Sequence, residues 1–215
     1  MGSSKKIIKE KSMKKVFVCI LEQGSVCAKM TDFLVQMVTE SLNDYDILYY
    51  HSNIMVVDNN RNTIVKKFLA TDYDYLLMID ADTVPSANPL PLMEYEKDII
   101  SLPMPVGKFR DGKLQIAFTL YKEKDNKMIP IKYEGESFHQ VDLGGTGTML
   151  IKREVLENIK APFMSAWNKD GIRTVGSDLR FCQKARKKGY EIWTHWDFMC
   201  EHYKQVDLLK ILKSA

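Results

Sequence analysis

No stretch of 18 or more consecutive apolar residues occurs in the 215-residue chain, so no segment has the hydropathy of a membrane-spanning helix, and the N-terminus lacks the apolar run of a secretory signal. Cytoplasm is the expected compartment. Cysteine is scarce: Cys19, Cys27, Cys182 and Cys200 form no C-x-x-C pair and show no metal-ligand spacing, which leaves neither a disulfide framework nor a zinc module to organise the fold. With 11 glycines and 7 prolines, no internal repeat and no low-complexity segment, the chain is neither fibrous nor disordered in composition. A chain of this length buries roughly 70% of the surface its unfolded form exposes, enough for a core that needs no staple.

A cationic surface is also missing. The net charge is +3, but six lysines stand against one glutamate in the first fifteen residues, and the remaining 200 carry 25 basic and 27 acidic groups. That balance argues against broad binding to a phosphate backbone. Residues 1–12 read as a disordered basic leader, ahead of a single domain spanning 13–215.

What is present is an alternation of strand and helix signals. Val16 to Leu21 is a short apolar run, and Val26 to Leu42 places Met30, Phe33, Leu34, Met37, Val38 and Leu42 at helical spacing. Asp46 to Tyr50 reads as a second strand. Asn59 is a candidate N-cap for a helix running to Thr71 with Ile64, Val65, Phe68 and Leu69 on one side. Tyr75 to Ile79 is wholly apolar, as a strand covered on both faces should be. After a proline-marked turn and short helix, Asp98 to Leu102 supplies a fourth strand.

The pattern predicts an α/β fold with a mostly parallel, Rossmann-like central sheet flanked by helices, and a ligand crevice at the carboxyl ends of its strands. In the second half, Leu114 to Tyr121 and Met128 to Tyr133 flank a polar turn and predict a small antiparallel hairpin. Thr148 to Ile151 leads into a helix near Arg153 to Ile159. A further helix starts at Ser177 or Asp178 and ends at Gly189, Glu191 to Thr194 is a last strand, and Asp207 to Leu212 a terminal helix.

The sharpest feature is Asp80-Ala81-Asp82, two carboxylates closing the apolar strand Tyr75 to Ile79. Asp44-Tyr45-Asp46 and Asp72-Tyr73-Asp74 share the spacing, but neither ends a buried strand, where an open α/β sheet binds its ligand. Two carboxylates there suit Mg²⁺ or Mn²⁺, which take oxygen ligands and share their coordination with substrate phosphates. The same residues could also cap the turn before Pro85. The glycine-rich run Leu143 to Arg153 reads as a site of close backbone approach or as a tight turn. Asp178 sits where a helix begins and the dipole favours a carboxylate. Trp167, in a polar segment, is a candidate platform for a sugar or acceptor ring.

Taken together, these motifs resemble the GT-A fold glycosyltransferases, the nucleotide-sugar-dependent class with a D-x-D signature, over most of Val16 to Lys204. Asp58-Asn59-Asn60-Arg61-Asn62 is similar to the family's Arg-Asn segment, which implies that Arg61 and Asn62 help bind the nucleotide. The D-x-D match implies that Asp82 ligates the metal, with Asp80 on the ribose or on a metal-bound water. The glycine-rich turn containing Gly145 resembles the segment lining the sugar and acceptor side. Gly176-Ser177-Asp178 resembles the family's acidic motif with Ser177 in place of the first acid, which makes Asp178 the matching catalytic base of inverting members. His202, thirteen residues past Gly189, is similar to the His that completes the metal site.

The resemblance implies a nucleotide-binding half at about 13–105, an acceptor half at 106–215, a UDP-sugar or other nucleoside diphosphate sugar as donor, and Mn²⁺ or Mg²⁺ as cofactor. The acceptor hydroxyl could belong to a small molecule, a protein or a modified nucleic-acid base, its site shaped by Phe109 to Gln140 and Pro162 to Val175. A sugar nucleotidyltransferase is the first alternative, disfavoured because Leu21-Glu22-Gln23-Gly24-Ser25 carries one glycine and no basic residue where such enzymes have a glycine-rich, arginine-containing loop. A non-catalytic nucleotide-sugar-binding module is the second.

Overall fold

The computed structural model describes residues 13–22, 26–110, 113–125, 127–133 and 135–204. The leader at 1–12 and the helix expected over Asp207 to Leu212 lie outside these residues. A seven-stranded sheet forms the centre, in the spatial order Phe138–Val141, Ile192–His195, Ile99–Ser101, Thr148–Lys152, Tyr75–Asp80, Lys14–Leu21, Tyr45–Ser52. Five strands run in one direction; Thr148–Lys152 and the edge strand Phe138–Val141 oppose them.

The period of two along each strand divides the core into two layers. Val16, Val18 and Ile20 point to the face covered by helix α1 (Ala28–Ser41) and the short helix Leu90–Tyr95, where Met30, Met37, Leu90, Leu92 and Met93 are buried. Phe17, Cys19 and Leu21 point to the other face, covered by α2 (Val57–Leu69), α3 (Arg153–Glu157) and α4 (Ser177–Lys187) through Ile64, Val65, Phe68, Val155, Leu156, Phe181 and Ala185. Burial on both faces explains why these strands read as continuous apolar runs. The Arg153 guanidinium donates to the carbonyls of Phe68, Thr71 and Tyr73, closing the carboxyl end of α2 against the start of the Tyr75–Asp80 strand.

The expected α/β architecture is met, with local differences. Helix α2 begins at Val57 with Val56 at its N-cap and ends at Leu69, so Asn59 lies inside the first turn instead of capping it. The run Leu114 to Tyr121 is two strands broken at Thr119, whose amide donates to the Met104 carbonyl. Its first part, Lys113–Phe118, pairs with Pro105–Arg110, while Leu120–Lys124 forms the hairpin with Lys127–Pro130 and also pairs with Leu143–Gly144. Lys113 to Ala117 are all exposed, so no buried face imposed an alternation to read. The edge strand Phe138–Val141 was not anticipated. Helix α3 stops at Glu157, before the expected Ile159.

Glycine in the Gly144-to-Gly147 turn serves packing. A Cβ at Gly144 would lie 2.3 Å from Ser101 Oγ and 2.4 Å from Ser101 Cβ, a collision that only a backbone shift relieves. Gly144→Ala is therefore expected to destabilise the fold by about 1–3 kcal/mol, the usual cost of overpacking. Urea unfolding checks this, with a lower midpoint and an unchanged slope as the expected result.

Candidate active site

The Tyr75–Asp80 strand delivers Asp80 to the carboxyl edge of the sheet, where its amide donates to Gly147 O at 2.8 Å and that of Ala81 to Leu21 O at 2.9 Å. The chain then makes a three-residue strand, Thr83–Pro85, which pairs antiparallel with Cys200–His202. His202 lies opposite Thr83, and the Tyr203 amide donates to Asp82 O at 2.8 Å. Two segments more than a hundred residues apart are thereby held in register, and Asp82, His202 and Lys204 gather on one side.

These residues, with Leu21, Asn60, Arg61, Asp80 and Met104, line a cleft of about 510 Å³, within the range that holds a small-molecule ligand. His202 Nδ1 lies 2.7 Å from the Pro105 carbonyl. A carbonyl can only accept, so Nδ1 carries a proton, while Nε2, 3.5 Å from Asp82 Oδ2, donates to that carboxylate when the ring is protonated and presents a lone pair when the ring is neutral. A backbone acceptor fixing the ring of a metal-binding His is the usual outer-shell arrangement. One carboxylate and one oriented imidazole fit Mn²⁺ or Mg²⁺ whose remaining positions are filled by phosphate and water. Asp80 does not join them: its Oδ2 faces the Arg61 guanidinium at 3.7 Å. Among the described residues, no three His, Cys, Asp or Glu side chains converge as a ready-made cation site.

The electrostatics differ sharply between the two aspartates. Burial raises the Asp80 carboxyl to about 6, with the charges of Asp82 and Asp178 adding to burial and those of Arg61 and Lys204 opposing it. For Asp82, burial works in the same sense but is outweighed by hydrogen bonds from His202 and Lys204, which hold the carboxyl well below its ordinary range. The His202 ring is pushed up, chiefly by its hydrogen bond with Asp82, against the effect of burial.

Arg61 comes from α2 and is 8% exposed. Its Nη1 donates to Ser177 Oγ at 3.0 Å, and its buried Nε has no partner among the described residues. Ser177 thus joins Arg61 to the start of α4. Asp178 follows in the first turn, accepting from the Leu179 amide at 2.9 Å. It is not among the residues lining the cleft, yet its charge reaches Asp80.

Asn62 and Gly145 are engaged elsewhere, and Trp167 does not line the cleft. Asn62 donates through Nδ2 to Phe163 O at 2.6 Å and to Asp58 O at 2.9 Å, and accepts from the Phe163 amide at 3.1 Å. Its amide staples the Phe163 loop to α2, and Asn60 lines the cleft. The Gly145 amide donates to Thr119 O at 2.8 Å, and a Cβ there would meet Thr119 Oγ1 at 2.7 Å. Trp167 stands 61% exposed on the hairpin Ala166–Trp167 with Arg173–Val175. That hairpin is anchored by Asp58, whose carboxylate accepts from the Ser165 amide at 2.7 Å and hydroxyl at 3.1 Å. Sequence reasoning missed Asn60, Tyr203 and Lys204. For Lys204 a signal existed, because alternation along an extended segment puts it on the side of His202.

Compared with protein-family models and with curated protein sequences, the chain has no match. Among solved structures it is similar to A197 from STIV, with a TM-score of 0.58 and 22% identity over 90% of this chain and 87% of that one. That likeness shows a shared fold. Weaker likenesses are a UDP-glucose pyrophosphorylase complexed with UDP-glucose (TM-score 0.47, 9% identity, 94% and 97% covered) and a glycosyltransferase involved in glycosylation of the major capsid of PBCV-1 (TM-score 0.46, 10% identity, 91% and 97% covered). No helix among the described residues is long and apolar enough to cross a membrane.

Because the folded state binds the Asp80 proton more tightly than the unfolded chain, this carboxyl weakens the fold as pH rises from about 4 through about 6. Asp80→Asn is expected to melt higher than the wild type at pH 7.5 in chelator-containing buffer, with the gap closing as the pH falls to about 4. A melting temperature at or below the wild-type value at pH 7.5 contradicts this reading.

Proposed function

We propose that the chain is a metal-dependent glycosyltransferase of the GT-A type, moving a sugar from a nucleoside diphosphate sugar to an acceptor hydroxyl. The observation that carries this reading is the single cleft in which the oriented His202–Asp82 pair stands beside the cations of Arg61 and Lys204, at the carboxyl edge of the sheet. Arg61 and Lys204 supply positive charge for a diphosphate, and Asn60 supplies a polar contact for the nucleoside. A divalent cation held by Asp82 and His202 would add Lewis-acid stabilisation to the departing phosphate oxygen.

Asp178 takes the proton from the acceptor hydroxyl as its oxygen bonds to the anomeric carbon. The bond from that carbon to the diphosphate oxygen breaks, and the electron pair leaves with the diphosphate toward Arg61 and Lys204. Attack opposite the leaving group inverts the anomeric centre, through an oxocarbenium-like transition state. Trp167 and the Ala166–Val175 hairpin, anchored to α2 through Asp58, flank the acceptor side. A UDP-sugar is the donor of first choice.

Asp178→Asn is expected to lower transfer by about 10²- to 10⁴-fold, the range of a general base, while nucleotide binding stays within about twofold. The assay follows nucleoside diphosphate release from nucleotide sugars with a panel of hydroxyl acceptors. Near wild-type transfer in the variant would refute the role of Asp178. Pyrophosphate release from a nucleoside triphosphate and a sugar 1-phosphate would replace glycosyl transfer with nucleotidyl transfer, and tight donor binding with neither reaction would leave a binding module.

A further inference from the structure

Lys204 does something that the proposed donor site does not by itself require. Its ammonium is bonded to Asp82 Oδ2, the same oxygen that faces His202 Nε2 at 3.5 Å. This contact is built into the backbone. The Cys200–His202 strand is locked to Thr83–Pro85, the Tyr203 amide is tied to Asp82 O, and the Tyr203 ring is held by Glu201 and Lys29 through a hydroxyl–carboxylate bond and a Lys29 ammonium 5.6 Å from the ring centroid. Lys204 therefore follows His202 on the same side of a fixed segment, and its side chain reaches Asp82 without freedom of register.

The geometry points to Lys204 as a diphosphate-binding cation that waits on the metal-binding oxygen of Asp82, so that the ammonium and a divalent cation occupy Asp82 in alternation and the donor diphosphate carries the lysine away. This rests on the nucleotide-sugar reading. Three facts support it. First, a divalent ion on Asp82 and an ammonium bonded to the same carboxylate would be like charges in close proximity, and their repulsion opposes simultaneous occupancy. Second, the Lys204 side chain is 60% exposed, so it can leave without opening the core. Third, the cleft holds a place for it to go: a diphosphate there presents several acceptor oxygens to an ammonium with three rotatable donors. The outcome is an ordered site, in which metal binds poorly alone and well together with the diphosphate.

The deciding experiment measures free Mn²⁺ by electron paramagnetic resonance during titration of wild type and Lys204→Met without nucleotide, and then the affinity of each for UDP, GDP and ADP at saturating Mn²⁺ by calorimetry. Lys204→Met is expected to bind Mn²⁺ alone about fivefold tighter, the effect of removing one half-exposed competing ion pair, and to bind the preferred nucleoside diphosphate about fivefold weaker. Equal or weaker Mn²⁺ binding by the variant overturns the inference, as does absence of Mn²⁺ binding by both proteins. Tighter Mn²⁺ binding by the variant, with none of the three nucleotides bound by either protein, would uphold the alternation on Asp82 and refute the nucleotide reading. The melting temperature of the variant, expected to match the wild type, shows that a local contact is being read.

Discussion

The antiparallel pairing of Thr83–Pro85 with Cys200–His202 is the constraint on which the site depends. The sheet alone ends at Asp80 and would leave the next residues as a free turn. Six residues of backbone pairing, extended by the bond from the Tyr203 amide to Asp82 O, fasten that turn to a segment close to the last described residue. Asp82 then meets His202 and Lys204 in a fixed register, and the Pro105 carbonyl sets the imidazole. Without the pairing, three charged or polar side chains from distant parts of the sequence would have no reason to share an oxygen.

Around this staple the cleft is polarised. Asp82 is held ionised by two partners, whereas Asp80 is forced by burial and by neighbouring carboxylates to hold its proton more tightly than an ordinary aspartate. Arg61 bridges Asp80 to Ser177 and leaves one buried N–H unpartnered. A buried guanidinium with incomplete bonding is unfavourable in the folded state. Ser177, the partner of Arg61 at the start of α4, adds no negative charge to the neighbourhood of Asp80, Asp82 and Asp178.

The layered sheet was legible because its signals are local. Tyr75 to Ile79 reads as a doubly covered strand, and the alternation of Val16, Val18 and Ile20 with Phe17, Cys19 and Leu21 sorts itself between the two faces. The aspartate turn was legible too, from its position at the end of such a strand. What escaped was everything fixed by long-range pairing. Three-residue strands such as Thr83–Pro85 carry no periodicity, and the edge strand Phe138–Val141 is defined by its neighbour Ile192–His195 rather than by its own residues. Asn60 and Asn62 are alike in sequence, and only the angular position on α2 sends one to the cleft and the other to the Phe163 loop. Gly145 could serve a ligand or a turn; the Thr119 side chain against it accounts for the glycine.

The most direct measurement of the central claim, that this staple builds a diphosphate cleft, is the thermal shift of the protein with nucleoside diphosphates and nucleotide sugars, with and without Mn²⁺. A ligand that binds the folded state alone raises the melting temperature, by an amount that grows with the logarithm of its concentration above Kd. A Mn²⁺-dependent rise with at least one nucleotide is expected, and it disappears in both Asp82→Ala and His202→Ala. No rise with any nucleotide, or a rise that survives both substitutions, would contradict it and return the aspartate pair to the role of a turn.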